Sequence, residues 1–183
     1  MKYMLILSGL LILSACTSSA ELPLRTTDTL PGEDAGIEEG TVAPDFVALA
    51  HDDRHIALSE LRGRTVILFF FTKDETPLAR KELLDFRNVA RTLESQGIMI
   101  IGVSSDPPET HRAFAKELGV SYPLLSDPNG NLARVFGVPF RYGLADRRTF
   151  IIGPSGTIER IFRDVVVPRH VKEVMAAVSP KRK

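Results

Sequence analysis

The chain has 183 residues, of which 44% are hydrophobic and 25% charged, values typical of one folded domain with appendages. Lys and Arg together number 23, as do Asp and Glu, so the formal net charge is zero and no global field would draw the chain onto nucleic acid. A single cysteine, Cys16, excludes an intrachain disulfide.

Residues 1–15 predict a signal peptide. Lys2 supplies a positive start, and the apolar run that follows is shorter than the roughly 20 residues that a transmembrane helix needs. The motif Leu13-Ser14-Ala15-Cys16 resembles the lipobox of bacterial lipoproteins. This resemblance implies that Cys16 is acylated and anchors the chain in the cell envelope, on the outer membrane facing the periplasm where two membranes exist. A plain secretory signal with a chance cysteine is the alternative.

Residues 16–40 predict a flexible tether. They are rich in Ser, Thr, Pro, Gly and acidic side chains, with too few apolar residues to bury a core. A folded domain is then expected over residues 41–178, followed by a basic tail at residues 179–183.

The domain alternates short apolar runs with helical apolar stripes, which predicts an α/β fold. Phe46–Ala50 and Ile56–Leu58 flank a polar turn and predict an N-terminal hairpin. Thr65–Phe71 is a continuous apolar run that predicts a central strand buried on both faces. The remaining predicted elements are a helix over residues 77–96, a strand at Ile98–Val103, helices at Pro108–Leu118 and Leu132–Phe136, a hairpin of Arg148–Ile152 with Ile158–Arg163, and a helix at Arg169–Val178.

Several short segments resemble those of a known family in their chain order. These are Gly40–Phe46 (G-x-x-A-P-x-F), Leu58–Gly63 before the central strand, Val103–Asp106, Thr110–Gly119 and Pro123–Asp127. Their order resembles the peroxiredoxins, most closely the bacterioferritin-comigratory type, over nearly all of residues 40–178. The resemblance implies a thioredoxin-like fold, with a central mixed sheet flanked by helices and an N-terminal hairpin extension.

The resemblance also implies where the chemistry would lie. The family motif P-x-x-x-T-x-x-C follows the central strand, and its Cys, in the first turn of the next helix, attacks the peroxide as a thiolate. Here Thr72 stands at the position of the Pro, Thr76 at that of the Thr and Ala79 at that of the Cys. Arg147 matches the family Arg, with Arg148 as the alternative. Alanine has no nucleophile, so we expect no catalytic residue in this vestigial pocket.

The helix start and Arg147 keep their positive potential where the thiolate is missing, and they predict that the pocket at Thr76, Ala79 and Arg147 binds a small anion. An unused remnant is the alternative. The expected function is that of a degenerate peroxiredoxin-like envelope lipoprotein, without thiol peroxidase activity, that binds a small anion or an envelope protein. We expect no cofactor and no metal. The alternative is an antioxidant enzyme that acts on hydroperoxides by a route without a cysteine at position 79. A structural or adhesive lipoprotein is a third class.

The histidines offer other candidates. The segment His51–His55 contains two His and two Asp, which suit a divalent ion, but a polar turn is the favoured interpretation. Phe70–Thr72 resembles a strand ending of the Sco copper-delivery family, whose copper-binding cysteines are absent here. His111 and His170 are predicted to be solvated residues near helix starts.

Overall fold

A computed structural model describes residues 37–178 of the chain. The predicted signal peptide, Cys16, most of the tether and the basic tail lie outside the described residues. The strands are β1 (Val47–Leu49), β2 (His55–Ala57), β3 (Thr65–Phe70), β4 (Ile98–Ser104), β5 (Leu124–Ser126), β6 (Phe140–Arg141), β7 (Leu144–Ala145), β8 (Arg148–Ile152) and β9 (Ile158–Phe162). The helices are α1 (Pro77–Ser95), α2 (Pro108–Leu118), α3 (Asn131–Val135) and α4 (Val167–Val178), with a 3-10 turn at Leu58–Leu61.

Five strands form the central sheet in the order β5-β4-β3-β8-β9. Strands β3, β4 and β5 run parallel, whereas β8 is antiparallel to β3 and to β9. The sheet is therefore mixed. It places β3 at its centre, which agrees with the continuous apolar sequence of that strand.

Alternate side chains of β3 divide the hydrophobic core into two layers. Ile67 and Phe69, together with Phe71 just after the strand, pack beneath α1, α2 and α4 on one face of the sheet. On the other face, the side chains of β3 pack against the N-terminal hairpin and α3. Both faces of the sheet are covered, and the carboxyl end of β3 leads directly into the loop before α1.

Helix α1 has clear sequence signals at both ends. Pro77 occupies its first turn, where the missing N–H costs nothing. After its last residues the chain turns through Gly97, whose φ of 76° favours glycine. Its buried stripe consists of Ala79, Glu82, Leu83, Phe86, Ala90 and Leu93. One member of that buried stripe, Glu82, carries a carboxyl group.

The predicted α/β fold and its main elements are confirmed. The short strands β5, β6 and β7 were not predicted, because two or three residues carry too little periodicity. Helix α4 begins at Val167, two residues before the predicted start. Between residues 37 and 178, no helix combines the length and hydropathy that crossing a membrane requires.

Candidate functional site

The start of α1 holds two of the residues that the sequence predicted for the site. Thr76 is the N-cap, and its Oγ1 accepts a hydrogen bond from the backbone N–H of Ala79 at 3.2 Å. The same hydroxyl donates to the carbonyl oxygen of Lys73 at 3.1 Å. Ala79 lies in the first turn of the helix, and its side chain is fully buried in the core. Thr72 is half-buried in the loop between β3 and α1.

Arg147, rather than Arg148, extends toward α1. The Nε of Arg147 donates to Oε2 of Glu82 at 3.2 Å, and Glu82 follows Ala79 by one helical turn. Arg148 instead donates through Nη1 to the carbonyl oxygen of Gly137. The structure therefore joins Arg147 to the helix of Ala79 through a buried carboxylate, which the sequence analysis missed.

Glu82, Arg147, Thr149 and His170 form a group that we call the Glu82 cluster. Nε2 of His170 lies 2.8 Å from Oγ1 of Thr149 and 4.0 Å from Oε1 of Glu82. Within residues 37–178, neither Oε1 of Glu82 nor Nδ1 of His170 has a hydrogen-bond partner. Both side chains are nearly inaccessible to solvent, so each polar atom without a partner carries a desolvation cost.

Burial governs the protonation of this cluster. It raises the pKa of Glu82 to about 7, and Arg147 offsets only part of that effect. It also lowers the pKa of His170 to about 4, so that this imidazole is neutral at neutral pH. Burial further raises the pKa of the nearby Tyr122, whose hydroxyl donates to the carbonyl oxygen of Leu83 at 3.0 Å. The cluster thus favours uncharged forms.

A second buried group, which we call the Asp74 cluster, consists of Asp74, Ser104, Asp106 and His111. Nδ1 of His111 lies 2.8 Å from Oδ2 of Asp74. Oδ2 of Asp106 accepts hydrogen bonds from the backbone N–H of Asp74 at 2.7 Å and from the Ser104 hydroxyl at 2.8 Å. The cluster ties the loop before α1 to the carboxyl end of β4 and to α2.

His111 also contacts an acceptor through its other ring nitrogen. Its Nε2 lies 3.2 Å from the carbonyl oxygen of Leu125 and 3.4 Å from Oγ of Ser104, whose proton is already donated to Asp106. The Asp74 carboxylate and this carbonyl both accept hydrogen bonds. Both ring nitrogens of His111 therefore lie within hydrogen-bond distance of an acceptor.

The predictions that His111 and His170 are solvated were wrong, because both are fully buried. Each lies on the apolar stripe of its helix. His111 shares that stripe with Phe114, Ala115 and Leu118, and His170 shares its own with Val167 and Val174. A polar residue in such a stripe was the available signal for burial.

The segment His51–His55 behaves as a polar turn. Nδ1 of His51 accepts a hydrogen bond from the backbone N–H of Leu124 at 3.1 Å. The carboxylates of this turn are occupied by surface ion pairs, Asp52 with Arg54 and Asp53 with Arg112. Across the described part of the chain, no group of three or more His, Cys, Asp or Glu side chains could hold a metal ion.

Comparisons with known proteins agree with this architecture. Residues 40–161 match the AhpC/TSA family. The chain is 33% identical over 144 residues to a chloroplastic peroxiredoxin Q of Gentiana triflora, an alignment that covers 77% of this chain and 66% of that one. The chain therefore spans slightly less than two thirds of that relative's length.

Two solved structures are similar to this chain. Peroxidoxin BcpB of Mycobacterium tuberculosis has a TM-score of 0.73 and 28% identity, covering 80% of this chain and 99% of its own. The bacterioferritin comigratory protein of Xanthomonas campestris has a TM-score of 0.67 and 31% identity, covering 72% and 88%. On this family match and this fold, the chain belongs to the AhpC/TSA family, among peroxiredoxins of the Q or bacterioferritin-comigratory type.

Proposed function

We propose that this chain is a peroxiredoxin-like protein without thiol peroxidase activity. The observation that carries the proposal is Ala79, which occupies the first turn of α1 directly after the central strand. Peroxide reduction by this family's chemistry needs a thiolate at that turn, where the helix dipole stabilises the negative charge. A methyl group cannot attack an oxygen. The sequence offers one sulfhydryl, on Cys16, far along the chain.

The residues around position 79 support the proposal that the thiol alone was replaced at this turn while neighbouring site residues were kept. Thr76 still caps the helix, and Arg147 still reaches α1 through Glu82. The Xanthomonas relative is described as having alkyl peroxide reduction activity. We infer that this chain keeps the support of such a site and lacks the reacting atom.

Peroxide consumption tests this proposal. We would compare the Cys16→Ser chain, which keeps Ala79 and has no thiol of its own, with Ala79→Cys and Ala79→Ser in the same background, using thioredoxin or dithiothreitol as reductant. We expect hydrogen peroxide to be consumed by Ala79→Cys and by neither of the others. The serine variant controls for the added atom, because overpacking a buried alanine costs about 1–3 kcal/mol. Consumption by the chain with Ala79 would contradict the proposal and favour an antioxidant enzyme that works by another route.

We further propose that the ligand of the vestigial pocket is a small anion, bound by Arg147, or an envelope protein. Glu82 competes for Arg147 while it is ionised. Because burial raises the pKa of Glu82 to about 7, its carboxyl becomes neutral at lower pH and the arginine charge is then unopposed. Anion affinity should therefore rise as the pH falls through 7.

Titration calorimetry with formate and with phosphate, on either side of that pH, tests the anion proposal. We expect heat of binding below neutrality in the unsubstituted chain and in Arg147→Lys, and none in Arg147→Ala. An absence of heat in the unsubstituted chain at every pH would exclude the anion and leave a protein partner. The Arg147→Lys variant separates the requirement for charge from that for the guanidinium shape.

The location we propose is the cell envelope, with acylated Cys16 as the membrane anchor. The support is the lipobox-like motif before Cys16. Mass spectrometry of the mature N-terminus should find diacylglycerol on this cysteine and no residue before it. A free thiol in a chain cleaved elsewhere would instead identify a plain secretory signal.

A further inference from the structure

Within residues 37–178, the outer strand of the sheet, β9, has one edge that no other strand of the sheet covers. Exposed strand edges present unpaired N–H and C=O groups, which readily pair with another chain. In this protein the edge is covered by residues 37–41, a segment that we call the edge strap. Residues 37–40 were assigned to the predicted tether, and Thr41 begins the predicted domain, so the end of that tether lies against β9.

The strap makes strand-like hydrogen bonds at the start of β9. The backbone N–H of Gly40 donates to the carbonyl oxygen of Ile158 at 2.7 Å. The N–H of Ile158 donates in return to the carbonyl oxygen of Thr41 at 2.8 Å. Both hydrogen-bonding groups of Ile158 are therefore taken by the strap.

Further along β9, side chains continue the cover. The outward N–H of Ile161 donates to Oε1 of Glu39 at 3.0 Å, where a neighbouring strand would offer a carbonyl oxygen. The guanidinium of Arg160 lies 3.7 Å from the same oxygen. Arg163 completes the cover by donating to the carbonyl oxygen of Ile37 at 2.9 Å.

We propose that the edge strap prevents β9 from pairing with the β9 of a second copy, and that Glu39 fastens it. A β9 edge without the strap would present the N–H and C=O groups of Ile158 and the N–H of Ile161. The same edge of another copy offers matching groups in antiparallel orientation, which makes a two-fold pairing possible. This inference is independent of the peroxidase question.

Two variants loosen the strap in different ways. Glu39→Ala removes the carboxylate from the N–H of Ile161. Gly40→Pro removes the donor to Ile158 and cannot adopt the φ of 88° that Gly40 has. Glu39→Gln keeps an acceptor oxygen, and Glu38→Ala alters a neighbouring acidic residue whose backbone carbonyl, not its carboxylate, bonds to Thr41. These last two are the matched controls.

The experiment combines amide hydrogen exchange with sedimentation, on the full chain carrying Cys16→Ser so that neither lipid nor disulfide can associate the copies. In Glu39→Ala and Gly40→Pro, we expect the Ile161 amide to exchange at least about tenfold faster in dilute protein, since a bond to a charged group is lost. At high concentration these variants should form dimers, while the unsubstituted chain and both controls stay monomeric.

Two results would overturn the proposal. If the Ile161 amide exchanges at the same rate in Gly40→Pro as in the unsubstituted chain, the strap does not cover the edge in solution. If both loosened variants exchange faster and yet remain monomeric, the strap covers the edge but does not prevent pairing between copies.

Discussion

The two buried polar clusters lie on the same side of the central sheet and differ in how well their polar atoms are matched. In the Asp74 cluster, both ring nitrogens of His111 face acceptors, and Asp106 accepts from two donors. In the Glu82 cluster, Oε1 of Glu82 and Nδ1 of His170 have no partner among the described residues. In the Asp74 cluster, Oδ1 of Asp74 likewise has no hydrogen-bond partner within residues 37–178.

This difference separates two roles for buried polar groups. The Asp74 cluster fixes the loop in which α1 begins, through contacts that link β4, α2 and that loop. In the Glu82 cluster, one turn of α1 from Ala79, burial disfavours the charged forms. It raises the pKa of Glu82 and lowers the pKa of His170. We therefore expect the first cluster to control stability and the second to control the response to pH.

The largest expected effect comes from breaking the Asp74 cluster. His111→Leu leaves the Asp74 carboxylate buried without its partner, which should lower the free energy of unfolding by about 3–5 kcal/mol. Urea titration monitored by circular dichroism measures this loss. The control is Asp53→Asn, which breaks an exposed pair with Arg112 and should cost less than about 1 kcal/mol. Equal losses in the two variants would show that the Asp74 cluster stabilises the fold no more than an exposed pair does.

The next effect tests the Glu82 cluster through pH. Burial raises the pKa of Glu82 from 4.5 to about 7, so the unfolded chain releases this proton first and stability falls as the pH rises through that window. Burial lowers the pKa of His170 from 6.5 to about 4, so the unfolded chain binds this proton first and stability falls as the pH drops through that window. The two contributions, each at most about 3 kcal/mol, oppose one another.

Single variants should uncover each contribution. Glu82→Gln leaves the histidine, so its stability should increase between pH 4 and 6.5. His170→Asn leaves the acid, so its stability should decrease between pH 4.5 and 7. Urea titrations across these ranges would reveal slopes of opposite sign. Slopes of the same sign would mean that the two groups are not neutralised by burial.

The smallest effect concerns the helix cap that precedes Ala79. Thr76→Ala removes the acceptor for the Ala79 N–H and should lower the free energy of unfolding by about 1 kcal/mol. Thr92→Ala deletes the same atoms at an exposed position within α1 and should change stability by less than about 0.5 kcal/mol. Thermal unfolding of both variants provides the comparison. If Thr76→Ala is as stable as the unsubstituted chain, the Thr76 side chain does not stabilise the start of α1.

The fold was predictable from sequence because its long elements carry strong local signals. The continuous apolar run predicted β3. Gly119, which has a left-handed φ of 66°, marked the end of α2. The buried clusters were not predicted, since Asp74 and His111 are 37 residues apart and meet only in the folded chain. The positions of His111 and Glu82 within apolar stripes were a signal of burial that the prediction of a solvated His111 overlooked, and this signal does not identify their partners.

The proposal that this site lost its reacting thiol at position 79 and kept Thr76 and Arg147 can be tested by trapping the product of a single turnover. Ala79→Cys in the Cys16→Ser chain would be treated with one equivalent of hydrogen peroxide and then with dimedone, which labels a sulfenic acid. We predict rapid labelling at position 79, detected by mass spectrometry, with no labelling of the chain that retains Ala79. If the introduced thiol reacts no faster than free cysteine, the supporting structure has been lost as well and the account is contradicted.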